Sequence, residues 1–581
     1  MTDVGALSPA MSMRFFRSPP HVPVSLERFP DGRVFWLNQR ALQSEPGSVE
    51  GESKWESRRE HFLRTCGYGI AEVGCAEEAT GIADRYGGRG IGANGGSGRG
   101  AFVNGYHVKG IGRTPLVGRE TEAGHASGGA YLEECVRETI LSELVQAEFP
   151  HGAVPTLALI DTGVRQVWKQ FRPAKIERRC LLVRPCFLRP AHFERAAGFL
   201  AEDVKDGHRD RLRVEHMFDT AREVFGRDTF LSIYDRFWLT WAEQLAYAFV
   251  HRLPHGGDNT SNVAFDARLL DFGATVSVPT WACVSLALGT PPLGRSLEAM
   301  VHAIRMHALS LGRYIDPAEA TLERITGIAT IAAERYRLVV QREMLRVAGL
   351  TRHQAELLLA SDRRADLVSI LGRVLNHFRR EQFAIFDGTP DPRIPWDFDR
   401  LWSQSPPVYL RRLREFLLNS IEVFGDTRQV DRLVRGFGGR CVMRTWTRSE
   451  LYRERIKKRL FGLLETDMAG DALNQNSLDE VISATVCRNR RDSKVEPDGA
   501  IPIGFARNCY VGYALFRCLD TTREFAVREW GVVSGDKERH DEAARELDGE
   551  AQRLYIADIT TGGILFASPA VAEFSGSVSL L

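Results

Sequence analysis

Residues 255–273 read HGGDNTSNVAFDARLLDFG. The stretch runs from a Gly/Asn-rich turn through a short apolar segment, Leu269-Leu270, to Asp271-Phe272-Gly273. Two readings compete. A carboxylate just past a buried strand, beside an Asn from the preceding loop, offers two hard oxygen ligands to a divalent cation, with phosphates and waters completing the shell. Alternatively, the turn simply feeds a core strand, since Gly and Asn are what turns select. Asn262 stands nine residues before Asp271, and His255-Gly256 begins seven residues before Asn262. That ordered set is more specific than a lone DFG.

Toward the N-terminus, residues 86–112 are dense in glycine: YGGRGIGANGGSGRGAF, then VNGYHVKGIG. Glycines let backbone amides approach phosphates closely and permit positive φ, although a loop with no ligand has the same composition. Phe102, Val103, Tyr106 and Val108 predict a strand that ends at Lys109, before Gly110. An ammonium that reaches phosphate oxygens needs an acidic partner to hold it. The following segment, AYLEECVRETILSELVQAEF, places Leu132, Val136, Ile140, Leu144 and Val145 on one helical face and offers Glu138 as that partner. Taken alone, a surface lysine and a solvated glutamate would explain the same residues. Apolar strands follow in VPTLALI and RRCLLVRPCFL.

Residues 192–253 have helical periodicity and end in FLSIYDRFWLTWAEQLAYAFVHRL, which predicts a buried helix. Residues 297–380 are again helical, and DGTPDPRIPWDFD at 387–399 marks a boundary. The remainder mixes helix (ELYRERIKKRLFGLLE) with strands (YVGYALFRCL, RLYIADITT, GILFAS). The expected class is α+β: a bilobal, protein-kinase-like fold with a β-rich N-lobe, an α-rich C-lobe and an extra C-terminal α+β region. The expected division is an extension at 1–60, a nucleotide-binding N-lobe at 61–190, a helical C-lobe carrying the metal loop at 191–395, and a C-terminal region at 396–581 of no assigned role.

Composition fits such a protein. Of 581 residues, 44% are hydrophobic and 26% charged, and the formal net charge is +1, so no broad basic face calls for a nucleic-acid partner. Arginine supplies nearly all positive charge; only nine of the 76 basic residues are lysine, which makes Lys109 more informative. The ten cysteines contain no CxxC pair, which argues against structural zinc and against a disulfide scaffold. The first twenty residues have no apolar core of signal-peptide length, and no run is long enough to span a bilayer, so the expectation is a cytoplasmic protein without membrane insertion.

From Tyr86 to about Phe383 the chain resembles the selenoprotein O family, kinase-fold proteins that act as protein adenylyltransferases. The resemblance rests on GGSGRGAF, VKGIGRTP, VRE, the pair Arg184 and Arg189, HGGDNTSN and DFG, in that order, with the family's interval of nine between Asn and Asp retained. It implies that Gly96, Gly98, Arg99 and Lys109 contact nucleotide phosphates and that Glu138 anchors Lys109. Ser127 and Gly128 stand where the family has an Asp-Gly pair near the nucleotide. Arg184 and Arg189 stand where it holds ATP in an inverted orientation that presents the α-phosphate, and Asn262 and Asp271 would hold Mg²⁺, or Mn²⁺ in its place.

The chain also departs from that pattern. Ser261 replaces the catalytic Asp that precedes the metal-binding Asn, and a serine does not accept a proton at neutral pH unaided. Gly257 occupies the position that directly follows HG, where small-molecule kinases carry their Asp. Asp258, one residue later, is the candidate base, or else a turn cap. The implied activity is Mg²⁺-dependent transfer of AMP from ATP to a protein or peptide. Alternatives are a peptide-maturation factor of the microcin type, a γ-phosphoryl kinase, and a catalytically dead scaffold.

Overall fold

Short runs rich in β-branched and aromatic residues with alternating burial build one antiparallel sheet. Its strands are β1 (Pro23–Arg28), β2 (Arg33–Leu37), β3 (Tyr68–Ile70), β4 (Ala79–Arg85), β5 (Gly96–Val103), β6 (Tyr106–Lys109), β7 (Ala158–Trp168) and β8 (Lys175–Pro185), in the order β2-β7-β8-β6-β5-β4-β1-β3. The computed structural model describes residues 9–17, 19–43, 52–71, 78–88, 94–169, 173–200, 206–278, 283–286, 291–377, 381–385, 398–403, 405–424, several positions between 434 and 451, and 473–489, 500–507, 511–518 and 524–531. Arg33–Leu37 forms β2. It pairs with β7, and β1 pairs with β4, so the first 60 residues supply two strands of the common sheet.

Helices α1 (Pro9–Phe15), α2 (Gln39–Gln43), α3 (Glu52–Cys66), α4 (Ala123–Ala126) and α5 (Leu132–Glu148) accompany the sheet. Helices then dominate: α6 (Asp206–Phe225), α7 (Arg227–Val250), α8 (Ser296–Tyr314), α9 (Leu322–Val347), α10 (Arg352–Ala360), α11 (Arg364–His377) and α12 (Val408–Leu418). The long helical periodicity before residue 253 resolves into two helices because Gly226 sits at φ 77° between them, a conformation that ends a right-handed helix. Thr321 and Thr351 cap α9 and α10 with side-chain oxygens that accept backbone N–H groups of the first turn. Two short strands, β9 (Cys283–Ser285) and β10 (Glu381–Ile385), pair in parallel. Further on come α13 (Gln475–Asn489) and the sheet of β11 (Ala500–Arg507), β12 (Val511–Cys518) and β13 (Glu524–Gly531). The expected strand YVGYALFRCL corresponds to β12; RLYIADITT and GILFAS lie outside the described residues, as does nearly all of the expected helix ELYRERIKKRLFGLLE.

The main core is aromatic. Phe237, Trp238, Trp241 and Tyr247 of α7 pack with Val339, Val340 and Met344 of α9. Burial of each such side chain contributes roughly 1.5–3 kcal/mol. Helix α5 serves two cores at once. Leu132, Cys135, Val136 and Ile140 lie against Leu159, Cys180 and Leu182 of the sheet, while Leu141, Leu144 and Val145 join the α7 core. It therefore joins the sheet to the helical part. Among the described residues no helix is long and apolar enough to cross a membrane.

Candidate functional site

Sheet register decides which side chains meet. Antiparallel partners share a face and side chains alternate along each strand. β6 pairs with β5 through Gly100↔Lys109 and Phe102↔His107, and with β8 through His107↔Arg184 and Lys109↔Leu182. Lys109, His107 and Arg184 thus emerge together. On the β5 side the residue opposite Lys109 is Gly100, which places no side chain of its own beside the lysine.

They border a cleft of about 180 Å³ between the sheet and the 255–273 stretch. Of the residues expected to form the site, Gly96, Gly98, Arg99, Lys109, Arg184, Arg189, Asn262 and Asp271 all line it. Tyr86, Asn94, Ser97, His107, His125, Ser261 and Leu270 complete the wall.

Lys109 is the centre of the ion pairs. Its Nζ donates to Glu138 Oε2 and Asp271 Oδ1, each at 2.7 Å, and lies 3.1 Å from Glu134 Oε1. Glu138 also accepts from Arg184, and Glu134 accepts from both terminal nitrogens of Arg99 at 2.6 and 2.9 Å. Glu134 and Glu138 are one helical turn apart and share the same face of α5. Arg137 donates to Gly273 O at 2.9 Å, tying α5 to the turn after Asp271. Deeper in the cleft, Arg189 donates to Asp84 Oδ2 at 2.7 Å and to Ser261 O, with its guanidinium 4.2 Å from the Tyr86 ring centroid. His107 and His192 also contact Asp84, at 3.1 and 2.9 Å.

Charge states follow from this packing. Burial pushes the Asp271 carboxyl up, but Lys109, Arg184 and Arg99 outweigh it and hold it well below the usual carboxylate range. The side chain keeps two-fifths of its surface, open to the cleft rather than to bulk solvent. Burial likewise opposes ionisation of Glu134, yet Lys109 and Arg99 bring it down to about 2. Asp84 is buried and still held low by Arg189 and the two histidines, while burial lowers both histidines to about 4, leaving them neutral at pH 7. Burial also lowers Arg184 to about 10, so it remains charged at pH 7.

The 255–273 stretch is braced from within. His255 is buried, with Nε2 donating to Leu270 O at 2.9 Å and Nδ1 accepting from Gly257 N at 3.2 Å, a structural role. Asp271 adopts the left-handed conformation, φ 68° and ψ 70°, which costs a non-glycine residue about 1–3 kcal/mol and persists where surrounding contacts fix it. Asn262 donates Nδ2 to Gly257 O at 3.1 Å, which leaves its Oδ1 as the atom to offer a cation. A Cβ at position 257 would run into that Nδ2. Any side chain at 257, an aspartate included, would require the Asn262 amide to move.

Four expected residues do not line the cleft, and one of them, Glu138, lies behind it and holds Lys109 and Arg184. Asp258 accepts from Ser296 Oγ at 2.6 Å, which ties the loop to the first residue of α8. That engages the candidate base with α8 rather than with the cleft. Ser127 Oγ is 2.8 Å from both Gly124 O and Tyr131 Oη. Gly128, at φ 69°, packs so tightly on the backbone of Gly112 and Arg113 that no side chain fits. His125, just before them, reaches the cleft instead. Conversely, sequence reasoning passed over Glu134, His107 and Asp84. The first two carried a signal: Glu134 precedes Glu138 by four on the predicted helix, and His107 precedes Lys109 by two on the predicted strand. Asp84, from β4, is brought in only by the sheet order.

Neither protein-family models nor curated protein sequences match the chain.

Proposed function

We propose that the cleft binds ATP with Mg²⁺ and transfers AMP to a hydroxyl of a protein or peptide acceptor, on a bilobal kinase-like fold of the kind the selenoprotein O resemblance implies. The observation that carries this reading is the convergence of Lys109, Asn262 and Asp271 with three arginines on one cleft, with Glu138 behind Lys109. The donor set fits a hard divalent cation: one amide oxygen, Asn262 Oδ1, and one carboxylate, Asp271. Among the described residues no three His, Cys, Asp or Glu side chains group around one point, so further ligands would come from phosphates and water. The ion would neutralise charge on phosphate oxygens.

Charge balance supports the same conclusion. Lys109, Arg99, Arg184 and Arg189 are matched by Glu134, Glu138, Asp271 and Asp84, four against four. A neutral site gains little from a bare tetra-anion and more from one accompanied by a dication. The inner wall is built of Arg184 and Arg189, groups suited to phosphate oxygens, whereas apolar lining for a base is limited to Tyr86 and Leu270. Phosphates seated deep and the base toward the mouth would present the α-phosphate to an acceptor. Catalysis would then be mainly positioning and charge neutralisation.

A second reading, a nucleotide-binding scaffold without turnover, is favoured by one specific pair of observations: Ser261 lines the cleft where a carboxylate would serve, and Asp258 is engaged by Ser296. ATP labelled separately at its α- and γ-phosphates separates these outcomes. Label from the α-position on an acceptor supports AMP transfer, γ-label alone indicates a kinase, and ATP binding with neither label supports the scaffold.

A further inference from the structure

The C-terminal region touches helix α5 at both ends. Near its start, Leu473, Leu478, Ile482 and Val486 pack with Leu132, Val136 and Ile140 in a single apolar cluster. At its end, Glu148 accepts from Arg448, and both side chains are fully buried. The same region holds the strand beside α5. Gln475 bonds Leu37 of β2 through both its amide atoms, each at 2.8 Å, and Asp479 accepts from Trp36 Nε1 at 2.8 Å. It also reaches the segment after Asp271, where Ser277 N donates to Leu451 O at 3.0 Å.

The geometry of α5 makes these contacts consequential. At 100° per residue, Val136 points about 200° away from both Glu134 and Glu138. One face therefore carries the glutamates that hold Lys109, and the opposite face is what α13 covers. A shift of α5 by even 1 Å would lengthen the 2.7 Å Lys109–Glu138 contact beyond a hydrogen bond. We infer that α13, with Arg448, positions the Lys109–Glu138 pair: Leu478 and Ile482 act on the cleft through α5, and Asp479 through Trp36 of β2, which packs on α5, without touching the cleft. This assigns the C-terminal region a task inside the same molecule. It deepens the nucleotide reading by naming what fixes the lysine, but the mechanical coupling itself requires no nucleotide.

The test uses the full chain with Leu478→Ala and Ile482→Ala combined, and, as a milder change, Asp479→Ala alone. Two signals are read without ligand: deuterium uptake of peptides covering 132–148, and acetylation of Lys109 by an N-hydroxysuccinimide ester, followed by peptide mass and referenced to exposed Lys175. Uptake in 227–250, in the helical core, reports whether the rest of the fold is intact. The expected result is at least a tenfold rise in Lys109 labelling and faster exchange of α5 in the double variant, smaller changes in the same direction for Asp479→Ala, and unchanged α7. If residues 475–489 exchange freely while α5 and Lys109 stay at wild-type values, the inference is overturned. Should the double variant lose α7 protection, Asp479→Ala decides alone by the same criterion. Wild-type Lys109 labelling with and without Mg²⁺ and ATP is a separate arm: no protection there would sink the nucleotide reading and leave the coupling standing.

Discussion

Replacing Glu134 with Gln preserves the shape of the site and removes one charge from its most crowded corner. The carboxylate faces two terminal nitrogens of Arg99 at 2.6 and 2.9 Å and Lys109 at 3.1 Å, with under one-fifth of the side chain exposed. Burial alone would raise its pKa, but the two cations bring it from 4.5 to about 2. At about 1.4 kcal/mol per pH unit, that difference contributes about 3 kcal/mol at neutral pH. Because the folded-state value is the lower one, the contribution is complete above pH 4.5, declines as the pH falls, and is gone near pH 2. Glu134→Gln should therefore cost about 3 kcal/mol at pH 7, or about 1 M in urea midpoint for a slope of about 3 kcal/mol per M. The gap between variant and wild type should close between pH 5 and pH 2. Urea unfolding followed by tryptophan fluorescence across that range measures it. A gap that stays constant with pH would mean the loss comes from packing, and the electrostatic argument would fail.

Other outcomes follow from individual contacts. Gly257→Ala places a Cβ against Asn262 Nδ2 and should weaken Mg²⁺-dependent ATP affinity about tenfold while leaving thermal stability nearly unchanged, as displaced support for a ligand does. Asp258→Asn should leave ATP affinity within about twofold, because the side chain serves Ser296; scanning calorimetry should record about 1 kcal/mol lost with that bond. Asp84→Asn strips the carboxylate from Arg189 in a fully buried setting and should cost about 3–5 kcal/mol, read as a lower urea midpoint.

Much of the site was legible because it is local. The strand ending at Lys109 and the helix presenting Glu138 each follow from periodicity within a short window, whereas the Asn262–Asp271 interval is significant only through the family resemblance; in the structure Lys109, Asn262 and Asp271 line one cleft. What stayed hidden is long-range. Asp84 and Arg189 are 105 residues apart, and their meeting depends on sheet order, which alternation does not encode. The same holds for β1 and β2, read as an extension although they pair into the common sheet. Asp258 illustrates a different limit. Its place in the chain suits a base, and only the packing of α8 against the loop turns its carboxylate toward Ser296. Glycine is equally ambiguous from sequence: the family resemblance puts Gly128 near the nucleotide, whereas the close approach of Gly112 and Arg113 requires a glycine there.

The most direct measurement of the central claim is calorimetric titration of ATP into the wild-type chain and into Asp271→Asn, each with Mg²⁺ and with a chelator. Saturable binding that requires Mg²⁺ in the wild type, and that weakens at least about tenfold in Asp271→Asn, is the predicted result. Absence of binding to the wild type, or equal binding by both proteins with the metal removed, would contradict it.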